Sequence, residues 1–124
     1  MLGVCEGVWG YGVSHVYLLA SKPFGTLYAG VTSNLAKCIW QHKAGETKGF
    51  ASKYGVTGLV WFETHLNIVV AIHREKILKG YKRQWKINLI EALNPNWEDL
   101  SGRIYEIDNR FEPKPGYKYY DAYF

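Results

Sequence analysis

Two short apolar runs held apart by a turn signal constrain this 124-residue chain more than any other feature. Residues 15–21 read HVYLLAS and residues 26–32 read TLYAGVT, with Lys22, Pro23, Phe24 and Gly25 between them. Runs this short and apolar, joined through proline and glycine, pair as an antiparallel β-hairpin with both strands largely buried. Buried strands need cover, so the rest of the chain must supply helices that pack on the sheet.

It does. Ser33 or Asn34 can cap a helix starting at Leu35, where Leu35, Cys38, Ile39 and His42 recur at i, i+3, i+4 and i+7 and share one face. Gly45 is a stop signal. Residues 45–55 (GETKGFASKYG) are polar, basic and Gly-rich, which predicts a loop. Residues 58–64 (GLVWFET) are rich in β-branched and aromatic types and predict a third strand. Asn67 can cap a second helix over 68–79, with Ile68, Ala71, Ile72 and Leu78 inward and Glu75 on that same face. Gly80 interrupts. A third helix over 82–93 ends at Asn94, because Pro95 disfavours helical geometry in the residue before it. Residues 96–124 carry no clear period and leave room for a turn of helix or a short strand. The fold class is α+β, a small three-stranded antiparallel sheet flanked by helices in the order β-β-α-β-α-α. A Gly-rich arm over 1–14 precedes a domain over 15–100, and a Tyr-rich extension over 101–124 follows.

The length fits one domain with a core of its own. Two cysteines, Cys5 and Cys38, argue against a disulfide scaffold, and no zinc-site spacing is present. A reduced, cytoplasmic setting is the simplest reading. No run of about 20 apolar residues predicts a membrane span. The first basic residue is Lys22, so the positive start of a secretory signal is missing. Net charge is +4. Residues 98–124 carry −2, which leaves +6 on the first 97 and suits a polyanionic partner such as nucleic acid.

Several residues bear chemistry. Tyr17 and Tyr28 sit one on each strand of the hairpin, a common place for half-buried aromatics. Glu75 on an apolar helix face is costly unless paired, so it reads as a core-edge ion pair, a metal ligand or a catalytic base. His42 is a satisfied core histidine or a group facing a site. Arg74, Lys76, Lys79, Lys82, Arg83 and Lys86 oppose Glu75 alone over residues 74–86, with Tyr81 and Trp85 interleaved. Cations neutralise phosphates and exposed rings stack on bases. Lys48 and Lys53 in the Gly-rich loop add two further candidate phosphate contacts.

The ordered set HVY (15–17), YAG (28–30), KCIWQH (37–42), REK around Glu75 and LNPNWEDL (93–100) resembles the GIY-YIG nuclease superfamily, more narrowly its small single-domain bacterial members. The similarity runs from about Val16 to Leu100. It implies a metal-dependent DNA endonuclease. By this resemblance Tyr17 and Tyr28 line the cleft, and one of them acts as general base or positions the attacking water. His42 matches a histidine of the first helix, Glu75 the ligand of one Mg²⁺ or Mn²⁺ ion, and Asn94 an asparagine near the cleft. The family's arginine falls where this sequence has Cys38. A guanidinium can hold two phosphate oxygens at once, and losing one such donor costs about 100- to 1,000-fold in rate. A nucleic-acid-binding module without catalysis is therefore the second reading. An interaction domain, suggested by Tyr117, Tyr119, Tyr120 and Tyr123, is the third.

Overall fold

The structure is a computed structural model that describes residues 13–44 and 55–107, with side chains up to Ile104. Three strands, β1 (Ser14–Ala20), β2 (Leu27–Thr32) and β3 (Gly58–His65), form one antiparallel sheet in the order β2-β1-β3. Four helices occur among the described residues, α1 (Leu35–Lys43) between β2 and β3, and α2 (Ile68–Lys79), α3 (Arg83–Leu93) and α4 (Ser101–Ile107) after β3. The predicted hairpin is present. Ser21 N–H donates to Thr26 O (3.0 Å) and Gly25 N–H to Lys22 O (2.9 Å). A Cβ on Gly25 would lie 2.4 Å from Ser21 Oγ, so the turn has room only for glycine there.

The central strand β1 is buried on both faces, which explains its unbroken apolar run. Its alternation sorts the core in two. Tyr17 and Leu19 join Leu35, Ile39, Val56, Leu59 and Ile104. Val16, Leu18 and Ala20 join Val31, Val60, Ala71, Leu78 and Ile90. The β1–β3 register shifts between Leu18 and Leu19, and Val60 is the extra residue of that bulge.

Helix ends follow the sequence signals. Asn34 caps α1 by accepting from Lys37 N–H (3.2 Å), and Asn67 caps α2 by accepting from Val69 N–H (2.7 Å). Gly80 closes α2, and Asn94 ends α3. Lys82 stands at the N-cap of α3 rather than inside it.

One helix exceeds the expected outline. Residues 101–107 form α4, which packs on α1 and places Ile104 in the first core. Asp99 builds this corner. Its Oδ1 accepts from Ser101 N–H (3.0 Å) and Leu59 N–H (3.3 Å), and its Oδ2 from Lys43 Nζ (2.5 Å). One carboxylate thus joins α1, β3 and the start of α4. No helix among the described residues is long and apolar enough to cross a membrane. The loop predicted over 45–55 lies almost wholly outside the described residues. So do nearly all of the arm and the tail tyrosines Tyr117, Tyr119, Tyr120 and Tyr123.

Candidate active site

Tyr17 occupies the middle of the central strand and is fully buried. Its hydroxyl lies 3.1 Å from Cys38 Sγ and 3.4 Å from His42 Nε2, both on α1. Residues 38 and 42 are one turn apart, so a single helix face delivers both to the tyrosine. Tyr28 on β2 stands edge-on to the same imidazole, with ring centroids 5.8 Å apart, against 6.2 Å for Tyr17 and His42. The two tyrosines therefore flank one histidine, and Tyr28 is the half-buried member.

Cys38 is fully buried, and its sulfur is disulfide-bonded to a partner outside the described residues. This corrects the expectation of reduced thiols. Spacing along a chain says little about whether two Cβ atoms approach within bridging distance. With no proton on the sulfur, the Tyr17 hydroxyl is the donor in that contact. The two contacts of Tyr17 coexist when His42 carries its proton on Nε2 and donates to the phenolic oxygen. Burial lowers the His42 pKa to about 4, so the ring is neutral at pH 7. Tyr17 is held well above its ordinary range by burial first, then by Tyr28 and Glu75. Burial, then Glu75, raises Tyr28 as well. Both phenols keep their protons at neutral pH, so they serve as donors.

Glu75 is fully buried on the inward face of α2. Lys79, one turn further on, brings Nζ to 2.8 Å from Oε1. That contact is an ion pair by distance without hydrogen-bond geometry, and neither carboxylate oxygen receives a hydrogen bond among the described residues. Buried carboxylates ordinarily collect several. The fit to a hard cation is good on this ground, since oxygen lone pairs are what such an ion takes. No cluster of three or more His, Cys, Asp or Glu side chains able to hold a metal occurs among the described residues. Glu75 would be one carboxylate ligand of an ion that keeps several waters, a common arrangement for magnesium.

Asn94 is buried, and its amide faces the backbone. Nδ2 donates to Val60 O (3.0 Å) and Glu98 O (2.8 Å), while Oδ1 accepts from Glu98 N–H (2.9 Å). Both amide hydrogens are used in holding the 94–98 turn against β3.

The basic residues divide by role. Arg74 donates from Nε to Glu63 Oε2 (2.9 Å) and from Nη1 to the Tyr81 hydroxyl (3.4 Å). Arg83 donates to Phe24 O (2.5 Å) and Gly25 O (2.8 Å), pinning α3 to the hairpin turn. Lys86 is half-buried, and its pKa is lowered by burial and by the charges of Arg83 and Lys79. That repulsion marks one positive region beside Glu75, where Arg83 and Lys86 line a cavity of about 270 Å³ with Thr26 and Leu27. Lys76 and Lys82 are exposed. Lys48 and Lys53 lie outside the described residues. Asp99 and Lys43 were absent from the sequence-based set. The Asp99-x-Ser101 spacing of a side-chain turn was the available signal for the first.

Comparison with known proteins adds two findings. A family model described as the GIY-YIG catalytic domain matches residues 13–88. A UPF0213 protein of Clostridium perfringens is 33% identical over 92 residues, which is 74% of this chain and 98% of that protein. No solved structure matches.

Proposed function

This chain belongs to the GIY-YIG catalytic domain family, and on that premise we propose that it is a metal-dependent DNA endonuclease. The observation that carries this reading is Glu75, a buried carboxylate without a hydrogen bond among the described residues, close enough to Tyr17 and Tyr28 for its charge to raise both phenols.

Glu75 would hold one Mg²⁺ or Mn²⁺ ion, which when bound supplies Lewis-acid charge stabilisation and lowers the pKa of water. Tyr28, neutral and half-buried, donates its phenolic proton toward a phosphate oxygen or the attacking water. Tyr17 has no exposed surface and acts as a positioning residue that fixes the His42 ring. His42 is neutral and only weakly basic, so it orients Tyr17 and Tyr28 rather than storing the proton taken from water. Lys79, Arg83 and Lys86 draw the phosphodiester backbone to the site. Asn94 positions the turn after α3.

The test is cleavage of single- and double-stranded DNA with Mg²⁺ or Mn²⁺ by the native protein and by Glu75→Gln, which keeps the shape and removes the charge. Native cleavage lost in the folded variant supports the reading, and an unaffected variant ends it.

A second reading, binding without cleavage, is favoured by Cys38. The position that the family resemblance gives to an arginine holds a buried, disulfide-bonded sulfur, which offers a phosphate no charge. Salt-sensitive DNA binding without cleavage at any enzyme concentration would select this alternative.

A further inference from the structure

A groove on α3 flanks the helix face that meets the core, and two of its lining residues, Tyr81 and Leu89, pack against the second core cluster. Tyr81, Trp85, Asn88, Leu89 and Ala92 line a cavity of about 390 Å³ there. Trp85, Asn88, Leu89 and Ala92 fall at i, i+3, i+4 and i+7, so one face presents them together. Trp85 is 50% exposed, an unusual position for the largest side chain when the core is at hand. It stands edge-on to Tyr81 with ring centroids 5.4 Å apart.

Cations cover both rings. Lys82 Nζ lies 5.6 Å from the Trp85 ring centroid, and the Arg74 guanidinium carbon lies 5.9 Å from the Tyr81 centroid. Asn88 offers hydrogen-bonding capacity at the groove, where Oδ1 accepts from Gln84 Nε2 (2.9 Å). The half-exposed Trp85 indole, an amide and two cations match a ligand with a π-face, polar edges and an adjacent negative charge. An unpaired nucleobase with its phosphate has all three, whereas a base inside a duplex hides its faces from such a ring.

We propose that the Tyr81–Trp85 groove is a stacking site for one unpaired base of a nucleic-acid strand. This rests on the reading that the chain acts on nucleic acid, and it adds a preference for substrates with a single-stranded segment. Arg74 is the neighbour of Glu75 on α2, so the helix that carries the carboxylate also supplies a cation to the groove.

The test is fluorescence anisotropy with a labelled oligothymidylate, the same strand in duplex form, and a strand of equal length built from abasic spacers. Chelator is present, so no strand is cut. Trp85→Ala should weaken oligothymidylate binding about 10- to 100-fold. Duplex and abasic binding should stay within about two-fold of the native protein. Trp85→Phe should recover most of the loss, because a phenyl ring still stacks. Trp85 is half-exposed, and a thermal melt confirms that each variant is folded. Equal oligothymidylate affinity in Trp85→Ala, or equal native affinity for abasic and base-bearing strands, overturns the proposal. Thymidine monophosphate displacing the strand at the strand's own dissociation constant would also overturn it, since the groove would then be a free-nucleotide site. Because binding is read without metal, loss of the nuclease reading leaves this result standing. Likewise, Glu75-dependent cleavage with no effect of Trp85 would remove the groove alone.

Discussion

His42 gives the sharpest physical expectation. It is 5% exposed, and burial holds its pKa at about 4. In the unfolded chain the ordinary value of about 6.5 returns. Between those two values the unfolded state binds a proton that the native state refuses, so stability must rise with pH across this window and fall as pH drops. The contribution is intact above about pH 6.5, is lost progressively on acidification, and is gone below about pH 4. Each tenfold change in proton affinity is worth about 1.4 kcal/mol, so the whole window amounts to about 3 kcal/mol. Carboxylates titrate in its lower part, and a variant must separate the two. We expect urea unfolding from pH 7 to pH 4 to show a steeper loss for the native chain than for His42→Asn, the difference reaching about 3 kcal/mol. The slope, not the absolute stability, is the readout, because the variant also loses packing. A direct nuclear magnetic resonance titration of the imidazole should give a midpoint near 4. Parallel pH profiles for the two proteins, or an imidazole midpoint near 6.5, would refute the desolvation argument and with it the neutral role assigned to the ring.

Three further outcomes follow from the same geometry. Lys79→Met removes the ammonium 2.8 Å from Glu75 Oε1, so isothermal titration should find Mn²⁺ binding several-fold tighter; unchanged or weaker binding would mean that Glu75 is not the ligand. Asp99→Ala removes the acceptor that Lys43 Nζ, Leu59 N–H and Ser101 N–H share, and should cost about 1–3 kcal/mol in chemical denaturation. A loss under about 1 kcal/mol would contradict the clamp. Asn94→Ala removes three backbone contacts and should lower stability by about 1–3 kcal/mol, with any loss of cleavage recovered by cooling or by a stabilising osmolyte; activity lost at full stability would instead give Asn94 a direct part in the reaction.

The strands, three of the helices and the inward placement of His42 and Glu75 were legible because they depend on local causes. Alternation with period two marks a strand, recurrence at three and four marks a helix face, and Asn34 and Asn67 satisfy orphan N–H groups wherever they precede a helix. The order of tyrosines, Glu75 and LNPNWEDL also sufficed for the family, later matched over residues 13–88. Helix α4 was not legible, because it gains its stability from Ile104 packing in a distant core and from Asp99 bridging to Lys43, 56 positions away. The partners of Asn94 were not legible for a related reason: sequence gives an amide's position but not which carbonyls face it.

What the sequence determined by itself, then, was the kind of chain this is: a three-stranded sheet with helices, a tyrosine pair and a carboxylate on an apolar helix face. Tertiary structure alone decided the chemical state of those groups. The Tyr17 hydroxyl reaches Cys38 and His42 only because β1 and α1 pack face to face. His42 is neutral only because that packing removes its water. Among the described residues Glu75 meets the Lys79 ammonium and no hydrogen-bond donor in bonding geometry, because α2 turns it into the body rather than toward solvent. Local pattern selects which face a side chain takes, and desolvation and partners, set by contacts far apart in the chain, fix what that side chain can do there.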